Sequence, residues 1–161
     1  MAREILLKAK GLDNGQWIEG SYLFCKDSAT VFFKNEHYIL KFDGYGIEHH
    51  AIDKDTICQY TGMTDKNGNK IWENDILRGH RNPNDLAKVV LGDFDVINAE
   101  GLERIDNVIG WHTEVIPTDA ISRLEPFCLS MPLTDFYIKL SEWEVIGNIF
   151  DNPELLGDGE V

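Results

Sequence analysis

The dipeptide Asn67-Gly68 constrains this chain more than any other feature, because it sits between two β-favouring arms. Cys58-Gln59-Tyr60-Thr61-Gly62-Met63-Thr64 leads in and Ile71-Trp72-Glu73-Asn74-Asp75-Ile76-Leu77 leads out. A two-residue type I′ turn needs positive φ at both central positions, which Asn tolerates and Gly adopts freely. The segment therefore predicts a tight antiparallel hairpin with the aromatic rings of Tyr60 and Trp72 on opposite arms.

The flanking sequence carries the same pattern. Residues 5–10, 17–24, 29–34 and 37–42 read as short strands separated by Gly11-Leu12-Asp13-Asn14-Gly15, the pair Asn35-Glu36 and the stop Asp43-Gly44. Gly20 marks a bulge within the second of these. Further on, 88–91 and 94–97 read as strands turned at Gly92-Asp93, and 98–107 as a surface excursion or short helix. Strand candidates follow at 108–111 and 114–116. Residues 118–124 fit one or two helical turns capped by Thr118 or Asp119. The run Trp143 to Phe150 is continuous enough for a central strand, and Asn152-Pro153 with Gly157 frames a miniature helix. No long amphipathic helix is present. The expected fold is mainly β (β-rich α+β), a single domain over 1–161: a compact antiparallel sheet with a small barrel-like core and one or two short helices.

Two separated segments resemble the phage YopX-like proteins. Residues 59–76 run from Gln59-Tyr60-Thr61-Gly62 through Asp65-Lys66-Asn67-Gly68 to Glu73-Asn74-Asp75-Ile76, similar to that family's QYTGL, DKNG and YEGDI stretches. The tail Glu144-Val145-Ile146-Gly147-Asn148-Ile149-Phe150-Asp151-Asn152-Pro153-Glu154-Leu155-Leu156 is similar to its closing signature, and Arg3-Glu4-Ile5 to its usual opening. Met63, Trp72 and Asn74 depart from the usual Leu, Tyr or Phe, and Gly; Asn can still hold a positive-φ position. The resemblance implies a β-rich phage or prophage protein acting in the bacterial cytoplasm, and it carries over no functional residues. It also leads us to expect the two signature segments to pack near each other in the core.

Composition narrows the function. Of 161 residues, 28 are acidic and 15 basic, a formal charge of -13. Such a surface repels phosphate backbones and anionic membranes, which argues against direct nucleic-acid or membrane binding. Cys25, Cys58 and Cys128 are odd in number and far apart, forming neither a disulfide framework nor a CxxC motif. They read as small buried hydrophobes in a reducing compartment. The N-terminal apolar patch is too short for a signal-peptide core, and no window reaches membrane-span length.

No constellation outweighs its structural reading. Asp65, Glu73 and Asp75 group near the turn and offer oxygens to a divalent cation. Turn chemistry for Asp65, and a solvated strand face shared by Glu73 and Asp75, explain the three equally well. His49 and His50 are adjacent and point to opposite faces of a strand. His112 and Glu114 share a face but make only two ligands, and His37 and His80 have no partner by spacing. Cys58 and Cys128 sit among apolar residues, and no catalytic motif or glycine-rich phosphate loop is present. We therefore assign no catalytic, cofactor or metal residues and expect no cofactor. The expected function is a non-enzymatic accessory protein that binds a host or phage protein, with open strand edges that allow a homo-oligomer. An acidic DNA-mimic decoy for a basic host protein and a small divalent-cation-dependent enzyme are the alternatives.

Overall fold

Short β-favouring runs broken by Gly, Asn and Asp form strands in the computed structural model, which describes residues 4–26, 33–98, 100 and 102–157. They gather into two compact units, 1–62 and 63–161.

The first unit is a sheet of β1 (Leu7–Lys10), β2 (Trp17–Phe24), β3 (His37–Phe42), β4 (Ile47–Ala51) and the start of β5 (Cys58–Thr64), in the order β4-β3-β2-β1-β5. All its pairings are antiparallel, and its inward residues Ala9, Ile18, Ile39 and Ile52 form one apolar cluster. Gly20 pairs in register with Leu7 and makes no bulge. A Cβ there would lie 2.3 Å from the Leu40 carbonyl oxygen, so the close approach of β3 is what demands glycine. The expected strand at 29–34 falls largely outside the described residues; Phe33 and Lys34 are not in a strand.

In the second unit, β6 (Lys70–Trp72) completes the predicted hairpin. The turn differs from type I′: Gly68 takes φ 85°, whereas Asn67 is not at positive φ. Gly68 N donates to Asp65 O at 3.0 Å, and Asp65 N to Asn69 O at 2.8 Å. That is a β-turn followed by one left-handed residue, the common three-residue alternative. Asn74, at φ 64°, ends β6 after three residues and sends the chain into β7 (Asp75–Arg78). β7 belongs to the second sheet, with β8 (Leu86–Ile97), β9 (Arg104–Ile116), β10 (Met131–Pro132) and β11 (Glu144–Asn148), ordered β10-β9-β8-β7-β11.

Mainly β architecture is thus observed, but the sheets stay open instead of closing a barrel. Closure needs strands of matched length and stagger. Here β6, β7 and β10 have two to four residues, and the left-handed turn at Asn74 diverts the chain before β6 can lengthen. Three further expectations are corrected. Gly92-Asp93 does not turn: β8 runs through it, with Gly92 opposite Gly110 in β9. Residues 104–107 belong to β9, not to an excursion. β11 is an edge strand, paired among the described residues with β7 alone.

The second unit's core lies on both faces of β7 and β8, as period-2 alternation requires. Leu77, Ala87 and Val89 pack with Leu133, Trp143 and Ile138, the last on α1 (Asp135–Leu140), the one α-helix among the described residues, which Thr134 caps. Ile76, Leu86 and Ile116 face Ile146, Ile149, Leu155 and Leu156. The miniature helix appears as a 3₁₀ turn, Pro153–Leu156, with Asn152 and Gly157 at its ends as expected. A second 3₁₀ turn, Ile121–Arg123, follows Asp119, whose Oδ1 accepts from Ser122 N at 2.8 Å.

Candidate functional site

The two signature segments meet, and they meet as structure. Asp65 is 5% exposed. Its Oδ1 accepts from Asn67 N at 2.8 Å and Asn69 N at 2.9 Å; its Oδ2 accepts from Asn69 Nδ2 and Val145 N, both at 3.0 Å. Burial pushes the carboxyl upward, but the bonds from Val145, Asn69 and Asn67 outweigh it and hold the group below the ordinary range. Lys66 N donates to Trp143 O at 3.0 Å, and Lys66 Nζ lies 3.1 Å from Glu144 Oε2. The other Glu144 oxygen accepts from Arg78 Nε at 2.8 Å and also from its Nη2. Arg78 first and Lys66 second lower the Glu144 pKa to about 2.

Asn74 continues this clasp: its N donates to Val89 O at 2.9 Å and its O accepts from Ile149 N at 3.1 Å. Asp75 is not on a solvated face. It is 2% exposed, and its Oδ2 accepts from Trp72 N at 2.8 Å, because the turn at Asn74 rotates it inward. Glu73 is half-buried in that turn. The three grouped carboxylates therefore fall in different environments, and among the described residues no three His, Cys, Asp or Glu side chains gather as a metal group.

The other candidates separate likewise. His112 is buried, stacks on Phe94 with ring centroids 4.7 Å apart, and has Nε2 3.7 Å from Glu114. His49 and His50 lie side by side on β4 opposite Leu40 and Ile39. The Nδ1 of His37 meets Tyr22 Oη at 2.7 Å. Cys58 is buried as expected, but Cys25 is half-buried and Cys128 exposed, since residues 125–129 lie outside the sheets.

Two accessible features had no clear signal in the sequence. Beyond Val90 on β8 and Trp111 on β9, the two strands pair with each other alone among the described residues, so their outer ends form a two-stranded ribbon. Ile105 is 68% and Ile109 82% exposed on it, and Leu91 is also exposed. Residues 93–107 hold five carboxylates (Asp93, Asp95, Glu100, Glu103, Asp106) against Arg104 alone. Arg104 pairs with Asp95 at 3.0 Å, leaving the others without a basic partner among the described residues. A cavity of about 310 Å³ lies where Val96, Ile97 and Leu102 face Pro126, Leu129 and Tyr137.

The second feature is the 79–85 loop after β7. His80 (φ 48°) and Arg81 (φ 55°) are successive non-glycine residues in the left-handed region, an arrangement costing on the order of 1–2 kcal/mol per residue. His80 Nδ1 sits 2.8 Å from Asp85 Oδ2. Both line a cavity of about 390 Å³.

These features define a mainly β protein with two open antiparallel sheets, a buried carboxylate clasp and an exposed acidic-apolar ribbon. The chain belongs to the YopX family: the family model described as YopX protein matches residues 10–157. No curated protein matches the chain. Among solved structures, protein EF1440 from Enterococcus faecalis is similar at 20% identity and a TM-score of 0.42, over 96% of this chain and 99% of that one. No helix among the described residues is long and apolar enough to cross a membrane.

Proposed function

We propose that this protein is a non-enzymatic phage or prophage accessory protein of the bacterial cytoplasm, and that it binds a host or phage protein through the β8–β9 ribbon. The observation that carries this reading is Ile105 and Ile109, both far out of the core on a ribbon whose five carboxylates outnumber its one arginine. Exposed apolar side chains ringed by charge suit a partner with an apolar patch and a basic rim. The open edges of β4 and β11 leave room for a second copy as well.

A double variant, Ile105→Ser with Ile109→Ser, tests the reading. It should lose the partner that wild-type protein captures from infected-cell lysate, while its melting temperature stays unchanged. Retained capture of that partner would refute the ribbon as the binding surface. The acidic-decoy reading draws on the same five carboxylates and makes a different prediction. Capture by a decoy collapses between about 0.1 and 0.5 M salt, whereas apolar anchoring survives it.

A further inference from the structure

We propose that the cavity between the 79–85 loop and the 117–127 segment binds the guanidinium of an arginine side chain, which under the function proposed above the partner protein supplies. The cavity of about 390 Å³ is lined by His80, Asn82, Asp85, Asp119, Ser122 and Phe127, among others, and by no lysine or arginine. Its contrast is the neighbouring cavity of about 550 Å³, where Lys66, Arg81 and Lys139 already stand among the carboxylates.

The lining is rich in acceptors. His80 Nδ1 lies 2.8 Å from Asp85 Oδ2, which turns the imidazole edge along the cavity wall. Asp85 Oδ2 meets His80 and Asp119 Oδ1 meets Ser122 N, and neither carboxylate meets a lysine or arginine among the described residues. Hydrogen bonds from Ser122 hold the Asp119 carboxyl below its ordinary range, so it is charged at neutral pH. The Ser122 hydroxyl is turned inward to its own loop, donating to Asp119 O at 2.9 Å. A guanidinium has five donors and no acceptor, which complements such a lining, and its flat face stacks on an aromatic ring. Phe127, 61% exposed at the cavity wall, supplies that ring.

The walls are held in advance of any ligand. Gly79 N donates to Asp85 O and His80 N to Ser141 O, both at 2.8 Å. Thr118 Oγ1 donates to Asn84 O at 2.5 Å and ties the loop to the facing segment. The left-handed pair His80-Arg81 is the conformational cost of placing the imidazole beside Asp85. A prefixed site binds with little ordering entropy.

The test is a titration of the full chain, followed by NMR, with N-acetyl-arginine methylamide, its lysine counterpart and its neutral citrulline isostere. The arginine probe should saturate and shift the Phe127 ring signals, while citrulline should not. Phe127→Ala and Asp119→Asn should each weaken the arginine probe by at least about tenfold. Phe127 is exposed, so its variant keeps the fold. Equal responses to arginine and citrulline, equal affinity for the lysine probe, or unaltered binding in both variants would overturn the assignment. Absence of saturable binding while the ribbon variant still loses its partner would overturn this site and leave the proposed function standing.

Discussion

Asp65 Oδ2 accepts a hydrogen bond from Val145 N at 3.0 Å, joining residues 80 positions apart. The same carboxylate receives Asn67 N, Asn69 N and Asn69 Nδ2, so one side chain both shapes the hairpin turn and fixes β11 beside it. The most distinctive residues of the two signature segments are thus spent on architecture.

Removing that carboxylate should be costly. Asp65→Ala leaves the amides of Asn67, Asn69 and Val145 without their acceptor in a buried setting. We expect a loss of about 3 kcal/mol, seen as a fall in melting temperature of roughly 10 °C. Asp65→Asn keeps one acceptor oxygen and should lose less. Thermal melts of the two variants beside wild type would measure both.

Acid should weaken the clasp. Asp65 and Glu144 both have depressed folded pKa values, so each binds its proton more readily in the unfolded chain. Their stabilisation is complete above the ordinary carboxylate range and is lost as pH falls; for Glu144 the window runs from 4.5 down to about 2. Urea midpoints measured across this window should drop steadily. Glu144→Gln should start from a lower midpoint at pH 7 and show a shallower decline.

The hairpin, the mainly β class, the 3₁₀ turn at Pro153–Leu156 and the turn after Asp119 were legible because neighbouring residues determine them. Asp75 was not: it reads as one of two alternating polar residues until the turn at Asn74 breaks the arm and buries it. Gly92 looks like a turn, but cross-strand pairing with Gly110, beside the Phe94–His112 stack, overrides the local preference. His80 shows no partner by spacing because Asp85 becomes its neighbour only through a left-handed backbone that its residue type does not announce.

Gly20 gives a test of packing in the first unit. The obstacle to a Cβ there is the backbone oxygen of Leu40 at 2.3 Å, which no rotamer change can move. Gly20→Ala should cost about 2 kcal/mol by equilibrium unfolding. A neutral substitution would mean that β2 and β3 do not approach this closely.

Thiol labelling separates the cysteines. Cys128 is exposed and should react with a maleimide in the native protein within the mixing time of a small-molecule thiol. Cys58 is fully buried and should react only after unfolding. Mass spectrometry of peptides after brief labelling would assign each site.

Hydrogen exchange at the Val145 amide tests the clasp most directly. In wild-type protein we expect this amide to exchange as slowly as the core strand β7, through global opening, and to become fast in Asp65→Ala while the amide of Ile138 stays protected. Rapid exchange of Val145 in the wild-type protein, or protection unchanged by the substitution, would contradict the account.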